Sequence, residues 1–220
     1  MNSARVFTFK IGGMAGQGVK AAGLILAKIA TRSGYYIYTH TEYPSLVRGG
    51  HNVMQISISE SEVRAAFKPT QLLIALDQQT IDLHSQELVE NAIVIFDADR
   101  NLDTQKIPDH VHICPIPLAK IVKDHHGTEI MSNTVAIAAS LAFLGADIQY
   151  LKDLLSEEFA HKGQEVIDLN HTIAQEGFDF AKQNFGQHTY EVLKPKTEKK
   201  DLMVINGNQA AAVGAIAAGM

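Results

Sequence analysis

The chain has 220 residues, of which 46% are apolar and 20% are charged, and its formal net charge is −5. This composition suits a soluble globular protein of one large domain or of one domain with appendages, and the negative charge argues against a nucleic-acid partner. The amino terminus lacks the pattern of a signal peptide, and no apolar run approaches the length of a membrane span.

Cys114 is the single cysteine of the chain. An internal disulfide is therefore excluded. An iron–sulfur cluster held by this chain alone is excluded as well, because such clusters are normally held by several cysteine thiolates. A reducing, cytoplasmic compartment fits this cysteine usage.

Hydrophobic periodicity predicts the elements in chain order. Apolar or alternating runs predict strands at residues 6–11, 35–38, 53–59, 72–75, 92–96 and 112–116. Helical spacing predicts helices at residues 19–33, 77–91, 133–144, 148–157 and 163–184. The chain opens with a strand, a glycine loop, a helix and a second strand, which indicates the start of a parallel sheet. We therefore predict an α/β fold, a Rossmann-like and mostly parallel sheet with helices on both faces.

The composition changes after residue 185. Residues 186–200 are rich in lysine and poor in apolar side chains, so we predict a linker there. Residues 201–220 are rich in alanine and glycine, and such small apolar residues need a partner to pack against. We expect a first domain at residues 1–185 and, at residues 201–220, the beginning of a second domain in a longer polypeptide.

A glycine loop at residues 12–18 is the first candidate site, and it contains Gly12, Gly13, Gly16, Gln17 and Gly18. A loop of this kind that leads into a helix offers free N–H groups to a phosphate or another anion. A tight strand-to-helix turn without a ligand explains the same glycines equally well. The segment 16–21 also fits the dinucleotide pattern G-x-G-x-x-A, but no acidic residue ends the second strand, so an NAD-dependent oxidoreductase is the weaker alternative.

A second candidate site contains Arg48, Gly49 and Gly50, which join two predicted strands. A guanidinium beside an approachable backbone can bind an anion. Two further groups of side chains are less informative. His110, His112 and Cys114 alternate along one strand, and Asp97 and Asp99 follow another, but neither group carries enough ligands to predict a metal site.

Four ordered blocks resemble the gamma-type domain of 2-oxoacid:ferredoxin oxidoreductases. The segment 11–18 is similar to that family's GxGGQG loop, with Ala15 in place of a glycine, and segment 43–52 is similar to its downstream RGG segment. Asn133 begins a segment similar to the family's N-x-V-A helix start, and segment 162–177 resembles its last helix. The resemblance spans residues 6–182. Residues 206–219 resemble the GNEA-type opening of the family's alpha domain, as in gamma–alpha fusion subunits of the 2-oxoglutarate and branched-chain types.

The resemblance implies a function within a complex. A 2-oxoacid, coenzyme A and oxidised ferredoxin would give an acyl-CoA, CO₂ and reduced ferredoxin. Thiamine diphosphate, Mg²⁺ and a [4Fe–4S] cluster would be held by the beta subunit and the rest of the alpha domain, so the chain alone would be inactive. It implies a hetero-oligomer that acts on ferredoxin, with a possible coenzyme A contact in this chain. The glycine loop, Arg48, Gly49, Gly50 and Asn133 are the expected ligand or interface residues, without a catalytic or metal-binding role. A purely scaffolding module is the remaining alternative.

Overall fold

The fold is that of a computed structural model, which describes residues 6–44, 50–190, 192–194 and 202–220. The described residues form six strands in one sheet: β1 (Phe7–Met14), β2 (Tyr36–Glu42), β3 (His51–Ser59), β4 (Thr70–Ala75), β5 (Leu88–Asp97) and β6 (His112–Ile116). They also form seven α-helices: α1 (Val19–Arg32), α2 (Gln78–His84), α3 (Leu118–Asp124), α4 (Ser132–Leu144), α5 (Gln149–Phe159), α6 (Gln164–Phe185) and α7 (Gly207–Ala217).

The sheet has the strand order β2-β3-β1-β4-β5-β6. Strands β1, β4, β5 and β6 are parallel neighbours, whereas β3 runs antiparallel between β1 and β2. Five of the six strands therefore point the same way, and the chain reverses its direction of travel across the sheet between β1 and β4. This arrangement confirms the predicted α/β, Rossmann-like and mostly parallel fold.

The two faces of the sheet are covered differently. One face, here called the apolar face, packs inward-pointing side chains such as Phe9, Ile56 and Ile74 against helices α1, α3, α4, α5 and α6. On the opposite face, Leu73 and Val94 pack beneath α2 and the segment that contains Ile107. Helices thus lie on both faces, as predicted, but most of the helical mass covers one of them.

The opposite face of β1 and β3 is buried although it is polar. Its four most central side chains form a group that we call the polar layer: Thr8, Lys10, Gln55 and Ser57, each no more than 6% exposed. The backbone carbonyl of Phe67 accepts hydrogen bonds from Thr8 and Gln55, and Lys10 is paired with Glu87. The loop before β4 and the end of α2 therefore close this part of the sheet with polar contacts.

One helical prediction was wrong in its bounds, and one short helix was not predicted. The predicted helix at residues 77–91 ends early, because α2 stops at His84 and β5 begins at Leu88. Asn91 has a left-handed φ of 62°, and the pairing of β5 with β4 is irregular before Ile93, so this strand begins with a bend that apolar periodicity does not reveal. Helix α3 was missed, because its seven residues are too short for a periodic pattern.

Residues that follow α6 pack against the end of the sheet where β1 begins. The ring of Tyr190 packs edge-on against Phe7 at 5.1 Å, and its hydroxyl donates to the carbonyl of Asn91 over 2.6 Å. Leu193 is fully buried, and its N–H donates to the carbonyl of Leu144. Tyr190 and Leu193 thus pack against β1 and α4, although they lie within the segment predicted to be a linker.

Helix α7 has no buried residue. A capping box with Asn206 and Gln209 begins it, so its amino terminus is satisfied locally. Val213 and Ile216 are 54% and 74% exposed on its surface. Among the residues that the structure describes, no helix combines the length and the apolar content that a membrane span requires.

Candidate functional site

The glycine loop connects the carboxyl end of β1 to the amino terminus of α1. Gly16 and Gly18 have φ values of 95° and 77°, a left-handed conformation that other residues adopt only with strain. Ala15 is not among the described non-glycine residues with positive φ, so its methyl group is compatible with the loop. The side chain of Gln17 folds back and accepts the N–H of Met14 over 2.6 Å, which stabilises the turn.

Asn133 fixes the glycine loop from the other side of the site. Its amide nitrogen donates to the carbonyl of Gln17 over 2.7 Å. A Cβ atom at Gly18 would lie 2.5 Å from the same nitrogen, closer than real contacts allow. The structure therefore brings together two candidate residues that lie more than a hundred positions apart in the sequence, and it shows why residue 18 is glycine.

Gly12 and Gly13 are required by close packing, since neither is among the glycines with positive φ. A Cβ at Gly12 would approach Thr80 at 2.6 Å and the ring of His51 at 2.9 Å. A Cβ at Gly13 would meet the side chain of Gln17 at 2.5 Å and that of Leu76 at 2.9 Å. These two glycines let β4 and α2 approach the end of β1.

A crevice of about 300 Å³ opens beside the glycine loop, at the carboxyl ends of β4 and β5. Its lining residues are Gly16, Gln17, Ala75, Leu76, Asp97, Arg100, Leu118, Ala119, Glu129, Ile130, Ser132 and Asn133. The crevice lies where the chain changes direction between β1 and β4, which is the usual ligand position in open α/β sheets. Asn133, Gly16 and Gln17 were predicted for this site, whereas Arg100, Glu129 and Ile130 were not.

The helix termini around the crevice differ in their caps. Neither α1 nor α4 has a side-chain cap at its amino terminus. However, α4 continues from a 3-10 turn (Glu129–Met131), and the N–H of Ser132 already donates to the carbonyls of Glu129 and Ile130, so only α1 has an open amino terminus without an acidic residue in its first turn. At α3 the buried carboxylate of Asp97 accepts from the N–H of Ala119 at 3.4 Å. Of the three helix ends, that of α1 is thus the one available to an anion.

Charged side chains at the crevice partly offset one another. Arg100 donates to the carbonyl of Leu76 over 2.8 Å, and its second nitrogen lies 3.6 Å from the exposed carboxylate of Glu129. Asp97 supplies a second negative charge, so the described lining has no excess of cations. An anionic ligand would therefore depend on the backbone N–H groups and on release of Arg100 from Glu129.

The second candidate site is described in part. Arg48 and Gly49 lie outside the described residues. Gly50 has a φ of 83° and precedes His51, which pairs with Met14 across the β1–β3 ladder. The segment thus returns to the sheet beside the glycine loop.

The sheet order argues against the dinucleotide alternative. In dinucleotide-binding folds the acidic ribose ligand ends the strand next to β1. Here β3 separates β1 from β2, which places the end of β2 two strands, or roughly 10 Å, from the glycine loop. Thr41 and Glu42 end that strand, so Glu42 is too distant to serve as the ribose ligand.

The remaining sequence candidates do not assemble a metal site. No cluster of three or more His, Cys, Asp or Glu side chains suited to a metal ion occurs among the described residues. Cys114 is fully buried, and burial raises the pKa of its thiol to about 12, so it is protonated at neutral pH. His112 instead stacks on His188 with ring centroids 3.7 Å apart.

The fold is that of a mostly parallel α/β domain with a crevice at the carboxyl ends of its strands. Residues 8–180 match the model of the pyruvate ferredoxin/flavodoxin oxidoreductase family, so the chain belongs to this family. This membership confirms the family resemblance that the ordered sequence blocks indicate.

Individual relatives fall into longer and shorter proteins. The alpha subunit of a 2-oxoacid:ferredoxin oxidoreductase from a Sulfolobus species is 26% identical over 96% of this chain and 38% of its own length. The 2-oxoglutarate synthase subunit KorC of Methanocaldococcus jannaschii is 30% identical over 63% of this chain and 77% of its own. This chain spans about two fifths of the length of the first curated relatives that it matches.

A solved structure has the same fold. The 2-oxoglutarate:ferredoxin oxidoreductase of Magnetococcus marinus, determined with 2-oxoglutarate, coenzyme A and succinyl-CoA bound, superimposes with a TM-score of 0.87 at 22% identity. The match covers 96% of this chain and 37% of that chain.

Proposed function

We propose that this chain supplies the gamma-type domain of a 2-oxoacid:ferredoxin oxidoreductase complex. The complex would convert a 2-oxoacid, coenzyme A and oxidised ferredoxin into an acyl-CoA, CO₂ and reduced ferredoxin. The family match over residues 8–180 carries this proposal, and the names of the relatives support it. The proposal is tested by isolating the chain with its partners from the source cells. Reduction of ferredoxin by the isolated complex should require both the 2-oxoacid and coenzyme A. A complex that does not reduce ferredoxin with these substrates would contradict the proposal.

The redox chemistry would belong to other parts of the complex. Thiamine diphosphate, Mg²⁺ and a [4Fe–4S] cluster would supply it. The residues of this chain do not fit the cluster, because its one cysteine is buried among apolar side chains with a thiol pKa of about 12. A beta subunit and an alpha domain are therefore the proposed partners in a hetero-oligomer, and a cytoplasmic location is part of the same proposal.

The crevice is proposed to bind an anionic part of a ligand, and coenzyme A is the candidate. The open amino terminus of α1, the glycine loop and the amide of Asn133 converge there. A volume of about 300 Å³ is at the small end for ligand pockets, so it would hold a portion of coenzyme A and leave the rest to Arg48 or a partner.

Calorimetric titration of the chain with coenzyme A tests this role. Asn133→Ala removes the bond that fixes the loop carbonyl of Gln17, and we expect binding to weaken roughly tenfold, as for one lost hydrogen bond of about 1.4 kcal/mol. Arg64→Ala is the control, since Arg64 is exposed and pairs with Glu62 away from the crevice. Equal affinities for all three proteins would show that the crevice is not the site. In the assembled complex, Arg48→Ala should raise the concentration of coenzyme A required.

Residues 201–220 are proposed to begin the alpha domain of a gamma–alpha fusion. The matches to the longer relatives cover 96% of this chain. They therefore include at least part of residues 201–220. The exposed Val213 and Ile216 of α7 would then be covered by that domain. The intact mass of the native polypeptide tests this. A mass well above 24.0 kDa is expected, and a mass near 24.0 kDa would make the chain a separate subunit.

A scaffolding role without a ligand predicts a different outcome. Loop variants would then assemble into the complex normally and leave turnover unchanged. Reduced turnover in a fully assembled Asn133→Ala complex would instead support a ligand-binding role.

A further inference from the structure

A hydrogen-bonded series of buried and partly buried polar side chains runs from the polar layer to the base of the glycine loop. It begins at Lys10, whose residue is 4% exposed in the middle of β1. The Lys10 ammonium group donates to Glu87, and the same carboxylate oxygen lies 2.9 Å from Nδ1 of His84. The Nε2 atoms of His84 and His51 are 2.9 Å apart. Four side chains from β1, α2 and its following turn, and β3 are thus linked in series.

The protonation of these four linked side chains follows from the charge of Glu87. Burial opposes ionisation of Glu87, but hydrogen bonds from Lys10 and His84 outweigh it, so its pKa is lowered and it is a carboxylate at neutral pH. A carboxylate only accepts hydrogen bonds, so His84 must carry its proton on Nδ1. In the arrangement with one proton on His84, its Nε2 is unprotonated and accepts a hydrogen bond from the Nε2–H of His51.

In this arrangement His51 carries its proton on Nε2 and its Nδ1 is unprotonated. This atom is buried and has no hydrogen-bond partner among the described residues. The Oδ2 atom of Asp77 is also buried without a partner in the described part of the chain, while its Oδ1 caps α2 through Thr80. Both atoms therefore lack a partner within the described ranges, and Asp77 lies near enough to favour a positive charge on His51. A proton added at Nδ1 would be attracted to the Asp77 carboxylate.

His51 contacts the part of the sheet that carries the candidate site. Its ring lies against Gly12, where a Cβ would approach within 2.9 Å, and its backbone pairs with Met14 at the start of the loop. The charged or titratable groups that act on it, in the described structure, are His84 and Asp77 beside α2 and Glu42 at the end of β2. Burial and His84 lower the pKa of His51 and outweigh the opposing effect of Asp77 and Glu42.

We propose that His51 is a proton-dependent positioning residue for the glycine loop, with its tautomer fixed by Lys10, Glu87 and His84. Neutral His51 supports Gly12 and the first turn of the loop. Uptake of one proton at Nδ1 turns the imidazolium toward Asp77, which changes the contact with Gly12. This inference concerns the loop itself and does not depend on which ligand the crevice binds.

Long-range ¹⁵N–¹H NMR on the histidine-labelled chain is the direct test, and it requires no variant. At neutral pH we expect the Nε2–H tautomer for His51 and the Nδ1–H tautomer for His84. His51 should titrate with a midpoint below 6.5, and the amide shifts of Gly16 and Gly18 should follow the same midpoint. An Nδ1–H tautomer of His51 at neutral pH, or loop amides that ignore its titration, would overturn the proposal.

A matched pair of variants separates this role from general destabilisation. His51→Gln keeps an N–H donor toward His84 but cannot take up a proton, so the amides of Gly16 and Gly18 should lose the titration that follows His51. His188→Gln is the control, because burial also lowers the pKa of His188, which contacts His112 and not the loop. That control should retain the loop titration. A loop titration that persists in His51→Gln, or that disappears in the control, would contradict the assignment.

Discussion

The two faces of the same strands show how differently one sheet can be stabilised. Strand β1 directs Phe7, Phe9 and Ile11 into the apolar face, and Thr8 and Lys10 into the polar layer. Both sets are almost completely buried. The apolar side chains need only a neighbour of the right shape, whereas each polar group needs a specific partner to offset its lost hydration. Buried side chains are therefore stabilised mainly by packing on the apolar face and by hydrogen-bond pairing on the polar face.

The two faces also contribute differently to the candidate site. The linked histidines lie on the polar side of β1 and β3, next to the base of the glycine loop. On the apolar side, the helices hold the crevice walls in place through their packing against the sheet. The four predictions below test the contrast, beginning with the largest expected effect.

Phe9→Ala should cause the largest loss of stability. Phe9 is completely buried between the sheet and α1, and truncation of such a ring usually costs about 3–5 kcal/mol. Chemical denaturation of both proteins measures the difference in unfolding free energy. A loss below about 1 kcal/mol would show that the apolar face adapts to a cavity and is not tightly packed.

Lys10→Met should cost up to about 3 kcal/mol at neutral pH, because it leaves the partly buried Glu87 carboxylate without its cation. Ionised Glu87, whose pKa is lowered, contributes stability above its unfolded pKa, and that stability is lost as the pH falls through the folded value. The difference between variant and wild type should therefore shrink below about pH 4. Adding Glu87→Gln should recover much of the loss, since an amide can still accept from His84. No recovery in the double variant would mean that Lys10 acts through packing of its alkyl chain.

Gly177→Ala tests helix packing over the apolar face. A Cβ at Gly177 would lie 2.9 Å from the carbonyl of Val135, so α6 and α4 must separate, and overpacking of this kind costs about 1–3 kcal/mol. Gly214→Ala is the matched control within a helix, because nothing lies within 4 Å of its Cβ position. That substitution should stabilise α7 slightly. Similar effects of both substitutions would show that the α4–α6 contact is loose.

The sequence predicts the apolar face better than the polar one. Strand β6 was predicted with its observed bounds, and α1 was predicted to within one residue, because continuous apolar runs and helical spacing are local signals. The glycine loop and Asn133 were predicted as candidates, and the structure places them 2.7 Å apart. Arg100 and Glu129 could not be predicted for the crevice, because only the strand order brings them to the glycine loop. The same holds for Lys10 and Glu87, which are 77 residues apart and look like ordinary surface charges in the sequence.

Ser57→Ala should have the smallest effect, and it should be stabilising. Ser57 is fully buried on the polar side of β3, and its hydroxyl has no hydrogen-bond partner among the described residues. Removal of such a group relieves a desolvation cost, so we expect a gain of up to about 1 kcal/mol. Ser140→Ala is the matched change within α4, where an equally buried hydroxyl donates to the carbonyl of Ala136 over 2.8 Å. There the lost bond, worth about 1 kcal/mol, exceeds the gain of about 0.5 kcal/mol in helix propensity, and a small net loss follows. Thermal unfolding of both variants measures the two signs. If Ser57→Ala destabilises more than Ser140→Ala, this serine is satisfied in solution, and the polar side of the sheet is paired more completely than its geometry indicates.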